Sequence, residues 1–63
     1  RNNMNLGDLV YDDSIGLIGI IIGVSTEGYR GMEMYDVLFQ PVFSGEVFIA
    51  EAFPKDLTII SET

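Results

Sequence analysis

The chain has 63 residues, with ten acidic side chains against three basic ones and a formal net charge of −7. This length allows one domain, and the lack of cysteine and histidine excludes disulfides and thiolate or imidazole metal sites. Because so acidic a chain repels phosphate backbones and anionic membranes, we expect neither as a partner. Protein partners with basic or apolar surfaces remain.

Turn residues divide the chain into five short apolar segments of the kind typical of strands. The predicted strands cover residues 8–11, 17–24, 34–40, 46–52 and 58–60. Residues 25–32 contain two glycines and are predicted to form a loop or hairpin tip. Pro54 interrupts the ladder before the last strand, because it has no amide hydrogen to donate. The pattern indicates one all-β domain, a barrel or small sandwich, over residues 7–61 after an N-terminal extension of residues 1–6.

The second predicted strand presents two rows of side chains, because side chains alternate between the faces of a strand. One row is predicted to fill the core and consists of Ile18, Ile20, Ile22 and Val24. The other row combines Leu17 and Ile21 with two glycines and is predicted to lie outside. We interpret Gly19 and Gly23 either as sites where the strand coils sharply or as places where a ligand or a neighbouring subunit approaches the backbone.

The chain carries more large apolar side chains than so small a core should hold. A single core in this size range supplies only about 3–5 kcal/mol of net stability. Since disulfides and the common metal sites are excluded, oligomerisation is the remaining source of support. We therefore predict a homo-oligomer, with candidate interface residues Leu17, Ile21, Leu38, Phe43 and Phe48.

Four short motifs follow one another in an order that is familiar from small barrels. They are Gly7-Asp8-Leu9-Val10, Gly16-Leu17-Ile18-Gly19-Ile20-Ile21, Tyr35-Asp36-Val37-Leu38-Phe39 and Pro54-Lys55-Asp56-Leu57-Thr58-Ile59-Ile60. Together, over residues 7–60, they resemble the small SH3-like barrels found among uncharacterised proteins of tailed phages, including marine ones. The resemblance implies a five-stranded SH3-like barrel with a one-turn 3-10 helix before the last strand. A phage origin would place the protein in the host cytoplasm or in the virion, but a shared fold implies no particular activity.

Three better-known kinds of small barrel differ from this chain in the residues that bind their ligands. Peptide-binding SH3 domains use a groove that includes a tryptophan, which this chain lacks. KOW-type barrels bind RNA through basic loops, whereas the loop at Asp12 and Asp13 is acidic. A Tudor-like aromatic cage would draw on Tyr11, Tyr29, Tyr35, Phe39 and Phe48, although rings at these spacings are more typical of a core. A nucleic-acid- or nucleoprotein-associated barrel of the KOW or Tudor type nevertheless remains the alternative hypothesis, because these families share the predicted fold.

Signals of catalysis are weak in this sequence. There is no histidine to act as a base at neutral pH and no cysteine nucleophile. Asp12 and Asp13 are interpreted as a solvated turn, since the alternating ligands and glycine of a calcium loop are missing. Asp8 is expected to accept a hydrogen bond from a backbone amide in the first turn. We expect a non-catalytic structural or interaction module that self-associates and uses no cofactor and no metal.

Overall fold

The computed structural model describes residues 4–63, and it describes the side chains of these residues except for 26–29. The strands are β1 (Leu9–Asp12), β2 (Leu17–Tyr29), β3 (Met32–Phe39), β4 (Phe48–Ala52) and β5 (Leu57–Ser61). A one-turn 3-10 helix, Pro54–Asp56, comes directly before β5. The prediction of an all-β chain with five strands and a 3-10 turn before the last strand is confirmed.

The five strands form one antiparallel sheet in the order β4-β3-β2-β1-β5, so β4 and β5 are its two edges. The long strand β2 pairs with β1 through residues 17–20 and with β3 through residues 19–29. Its register against β3 shifts between Ile21 and Gly23, and a bulge of this kind bends a strand and increases its twist. The sheet coils enough that side chains from both edges reach one core.

The core lies on one face of the sheet and receives residues from all five strands. It consists of Val10, Ile21, Val37, Phe39, Ala52 and Leu57, each at most 5% exposed. Leu17, Tyr35 and Met4 are partly buried and pack against this cluster. Met4 falls within the predicted N-terminal extension, of which residues 1–3 lie outside the described residues.

The hairpin between β2 and β3 is tighter than the sequence predicts. The predicted loop of residues 25–32 consists mostly of strand, because β2 continues to Tyr29 and β3 begins at Met32. The turn is formed by Arg30 and Gly31 alone, with φ angles of 56° and 75°. Positive φ at both central residues is the signature of the type I′ turn, whose twist matches that of the strands it joins. Glycine adopts this backbone without penalty, so Gly31 is the residue that permits the turn.

The prediction that the even-numbered row of β2 fills the core is wrong. Ile18, Ile20, Ile22 and Val24 are each 40–48% exposed, whereas Ile21 is 1% exposed. Around Gly19, the two rows lie on the opposite faces from those predicted. The reason is that the core side of the coiled sheet has little room there for a side chain. An added Cβ at Gly19 would lie 2.5 Å from Val37 Cγ1 and 2.8 Å from Phe39 Cδ1. Before the bulge, therefore, Gly19 and Ile21 face the core while Ile18 and Ile20 face outward; beyond it the faces reverse, since Gly23 pairs with Asp36 and Val24 with Tyr35.

Asp8 ties together the two ends of the described chain. It is fully buried, and its carboxylate accepts hydrogen bonds from the backbone N–H of Asn5 and of Thr63, both at 2.9 Å. The expected bond to a backbone amide in the first turn is thus confirmed, and the bond from Thr63 is an addition to it. These two donors hold the pKa of Asp8 below its ordinary value of 3.8, because they stabilise the charged form.

The predicted solvated turn at Asp12 and Asp13 is half right. Asp13 is exposed, but Asp12 is only 3% exposed. The last residue of β1 faces the core side, where Asp12 Oδ1 accepts bonds from the Ser14 backbone N–H at 2.8 Å and from Ser14 Oγ at 2.6 Å. Asp12 therefore closes the turn into β2 as a structural acceptor.

Candidate interaction surface

The face of the sheet opposite the core carries a continuous apolar row. Strand pairing places Leu9 opposite Ile20, Ile20 opposite Leu38, and Leu38 opposite Ile49. Residues paired in this way on antiparallel strands share a face and lie in contact distance. Ile20 is 40% exposed and Ile49 63% exposed, while Leu9 and Leu38 are half-buried. One row of four aliphatic side chains thus crosses β1, β2, β3 and β4.

Further apolar side chains extend this row into a patch. Tyr11 lies opposite Ile18, and both are exposed. Ile22 follows Ile20 on the outward row of β2, and the loop between β3 and β4 adds three more exposed residues. We define the outer patch as Leu9, Tyr11, Ile18, Ile20, Ile22, Leu38, Val42, Phe43, Val47 and Ile49.

Charge is absent from the outer patch and begins at its border. All ten of its residues are uncharged and described, in a chain whose net charge is −7. Asp36 and Glu51 lie opposite each other on β3 and β4, and Glu46 directly precedes Val47 in the loop between these strands. Depletion of charge, with aromatic and aliphatic enrichment, distinguishes the centre of a protein interface from ordinary surface.

An apolar groove of about 370 Å³ lies within the outer patch. Its floor is formed by Ile18, Gly19, Ile20 and Leu38, and one wall is formed by the loop of residues 40–47. We call it the outer groove. Its side chains carry no ionisable group, so it can hold an apolar side chain but offers no means to bind a charged one.

The loop of residues 40–47 is held in shape by local hydrogen bonds. Ser44 Oγ accepts a bond from the Glu46 backbone N–H at 3.2 Å and donates to the Glu46 carbonyl at 3.4 Å. Gly45 has a φ of 75°, a backbone conformation open to glycine. At the tip of this turn Phe43 is 100% exposed and Val42 is 82% exposed.

The five predicted interface residues are divided between two faces. Leu38 and Phe43 belong to the outer patch. Ile21 is buried in the core at 1% exposure, so the folded chain does not present it at its surface, because its row faces inward. Leu17 packs against the core. Phe48 is 41% exposed and sets its ring against that of Phe39 with centroids 5.5 Å apart.

Leu17 and Phe48 line a second groove, on the core side of the sheet. It has a volume of about 430 Å³, and its other walls include Asp12, Phe53 and Asp56. Beside it, Lys55 Nζ lies 5.5 Å from the centroid of the Phe53 ring and 3.2 Å from Asp56 Oδ1. This groove is therefore already bordered by a cation from its own chain.

The rings considered for an aromatic cage are divided between the two faces of the sheet. Tyr11 lies on the outer face, whereas Tyr35, Phe39 and Phe48 lie on the core side. The side chain of Tyr29 lies outside the described residues. The four described rings therefore do not all share one side, although Phe39 and Phe48 lie together on the core side with ring centroids 5.5 Å apart.

Most of the outer patch was not predictable from the sequence. Alternation along β2 predicts Ile18 and Ile20 in the core, and the predicted interface residues do not include Val47 or Ile49. The signal that could have found them is Gly19, since a glycine in a coiled strand indicates the crowded side of a sheet. That signal identifies the row but not its partners on β1, β3 and β4, because these depend on register.

The described residues contain no cluster of metal ligands and no helix that could span a membrane. No three of their acidic side chains are placed to hold a metal ion together. None of the helices in the described part of the chain has the length and apolar character needed to span a membrane. Comparison with protein-family models, curated proteins and solved structures yielded no match.

Proposed function

We propose that the chain is a non-catalytic protein-interaction module that self-associates through its outer patch. The observation that carries this proposal is the uncharged apolar row across β1, β2, β3 and β4. Monomeric soluble proteins rarely expose contiguous apolar patches larger than a few hundred Å² unless the patch is functional. Contact with a second copy removes this row from water.

The area of the outer patch suits a small dimer interface. Taking ~50 Å² for each half-exposed aliphatic side chain and ~200 Å² for a fully exposed phenylalanine, the patch offers about 650 Å². A standard interface buries about 600–1,000 Å² on each partner. The patch reaches the lower part of this range, which fits a reversible dimer of separately folded chains.

Charge sets the conditions under which two copies meet. Each copy carries −7, so the copies repel one another at distances up to the screening length of about 8–10 Å. The acidic side chains at the border of the patch, Asp36 and Glu51, can stay in water while the apolar rows meet. Association then depends on apolar contact and not on ion pairs.

The proposal includes the fold family, an SH3-like barrel. It is supported by five antiparallel strands, by a core that all five strands share, and by the 3-10 turn Pro54–Asp56 before β5. In this assignment the core side of the sheet is the interior of the barrel, and the outer patch is part of its exterior wall.

Sedimentation velocity across a concentration series tests the proposed self-association. Ile20→Lys places a charge in the middle of the row, and at 40% exposure the lysine can extend its ammonium group into water without unfolding the chain. Glu62→Gln changes the net charge by the same amount at an exposed position outside the patch and is the matched control.

The wild type and Glu62→Gln should pass from 7.0 kDa to twice that mass as concentration rises, while Ile20→Lys stays monomeric. Circular dichroism should show that all three chains are folded. A wild type that stays at 7.0 kDa up to its solubility limit, or an Ile20→Lys variant that dimerises equally well, contradicts the proposal.

A further inference from the structure

Among the described large apolar side chains Phe43 is the most exposed, and its ring is entirely in water. A phenylalanine side chain has about 150–250 Å² of surface to bury. The turn directly after Phe43 contains the hydrogen bonds between Ser44 and Glu46 and the positive φ of Gly45. An anchor held on a structured turn loses little conformational entropy on binding. Phe43 thus has the character of a binding anchor.

The outer groove has the size and chemistry to receive such an anchor. Its volume of about 370 Å³ lies near the lower end of the ~300–1,000 Å³ usual for ligand pockets, so it accommodates a single aromatic ring. Ile18, Ile20 and Leu38 provide apolar floor.

The anchor lies next to the groove along the chain. Pro41 and Val42 form part of the groove wall, and Phe43 follows them directly in the chain. Phe43 does not occupy the groove of its own chain, since its ring is fully exposed. When an anchor lies next to its receptor, a two-fold axis between two copies brings each anchor to the other receptor and closes the assembly.

We propose that the dimer forms by reciprocal insertion, in which Phe43 of each copy enters the outer groove of its partner. This inference rests on the proposed self-association and names the contact that holds it. Reciprocal insertion accounts for two features together: a fully exposed aromatic ring, and an unfilled apolar groove next to it. It also limits the assembly to two copies, because both anchors and both grooves are then occupied.

The expected effect of removing the anchor is large. A side chain at the energetic centre of an interface is worth roughly 30-fold or more in affinity, and each dimer contains two copies of Phe43. Phe43→Ser should therefore weaken dimerisation by between about 30-fold and a thousandfold. Leu6→Ser is the matched control, because Leu6 is also an exposed apolar residue, at 58%, but lies outside the outer patch.

A mixing experiment distinguishes reciprocal insertion from non-specific apolar association of the two surfaces. Phe43→Ser has an intact groove and no anchor, whereas Ile20→Lys has an intact anchor and a damaged groove. Neither variant can form an anchor–groove pair with itself, but a mixed dimer of the two contains one intact pair. Sedimentation of the equimolar mixture should show more dimer than either variant alone at the same total concentration.

A fluorescence reporter gives an independent reading. The chain has no tryptophan, so Phe43→Trp introduces a single one at the anchor position. Its emission should move to shorter wavelength as concentration rises, and this shift should disappear when Ile20→Lys is added to the same chain. A shift that persists with the damaged groove would overturn the inference.

The outcomes distinguish the two proposals. If the wild type is a monomer throughout, self-association itself fails. If the wild type dimerises, Ile20→Lys prevents it, and Phe43→Ser dimerises like the wild type, then self-association stands and reciprocal insertion is wrong. Equal amounts of dimer in the mixture and in the separate variants would also overturn reciprocal insertion.

Discussion

The close contact at Gly19 leads to a prediction about stability. In Gly19→Ala the new Cβ would lie 2.5 Å from Val37 Cγ1, 2.8 Å from Phe39 Cδ1 and 2.9 Å from the Leu38 carbonyl oxygen. All three distances are shorter than any normal contact of a Cβ atom. The Leu38 carbonyl belongs to β3, so it can move only if the pairing of β2 and β3 is distorted. Overpacking of this kind costs about 1–3 kcal/mol.

Gly23→Ala is the matched control on the same strand. Its Cβ would lie 3.2 Å from Asp36 Oδ2, the far end of a side chain that can turn away. Neither glycine has a positive φ, so both substitutions gain the same ~0.4–1 kcal/mol from reduced freedom of the unfolded chain. We expect Gly23→Ala to be neutral or slightly stabilising, and Gly19→Ala to be clearly destabilising.

Urea unfolding followed by circular dichroism measures the difference. The gain from the unfolded chain cancels between the two variants, so with an m value of about 1 kcal/mol per M, as for the smallest domains, the midpoint of Gly19→Ala should lie about 1 M or more below that of Gly23→Ala. The measurement belongs at low protein concentration, so that dimerisation does not contribute. Equal midpoints for the two variants would refute the reasoning, because they would mean that the core side of β2 is not crowded at Gly19.

Three further predictions concern the turn between β2 and β3, the stability of the fold at acid pH, and the effect of salt on the dimer. Gly31→Ala should lower the free energy of unfolding by about 1–2 kcal/mol in the same urea assay. The added Cβ would meet no atom within 4 Å, so the cost comes from the positive φ alone. An unchanged midpoint would contradict the type I′ turn. The pKa of Asp8 is held below its unfolded value by the Asn5 and Thr63 amides, so its contribution to stability is present above the unfolded pKa and is lost as pH falls through the folded pKa. The thermal unfolding temperature, measured from neutral to acid pH, should fall in the wild type and should fall less steeply in Asp8→Asn. Equal dependence of the unfolding temperature on pH in the two chains would argue against this role of Asp8. Added NaCl should strengthen the dimer, because it screens two copies that each carry −7, and sedimentation that shows weaker association in salt would point to ion pairs in the interface.

The strands were predictable because their boundaries are marked locally. Turn residues separate the apolar segments, and Pro54 marks the break before β5. The extension of β2 to Tyr29 was not predictable in the same way, since residues 25–29 are mostly polar and contain a glycine. Their strand conformation comes from pairing with β3 across a two-residue turn, and a positive φ at Arg30 has no local sequence signal.

The assignment of faces failed for a non-local reason. Alternation along β2 separates the row of Ile20 from the row of Ile21, but it does not say which row is inside. That choice is decided by Val37 and Phe39, which occupy the space beside Gly19 and belong to another strand. The outer patch depends in turn on the register of four strands, so the sequence suggested Leu38 and Phe43 but could not group them with Ile49.

The most direct test of the account is a dilution series followed by NMR of a chain labelled at its isoleucine methyl groups. The account predicts that the Ile18, Ile20 and Ile49 signals shift with concentration as the outer patches of two copies meet. The signals of Ile21, in the core, and of Ile59, packed against it, should stay in place. Signals that are all independent of concentration, or shifts at Ile21 and Ile59 as large as those at Ile20, would contradict it.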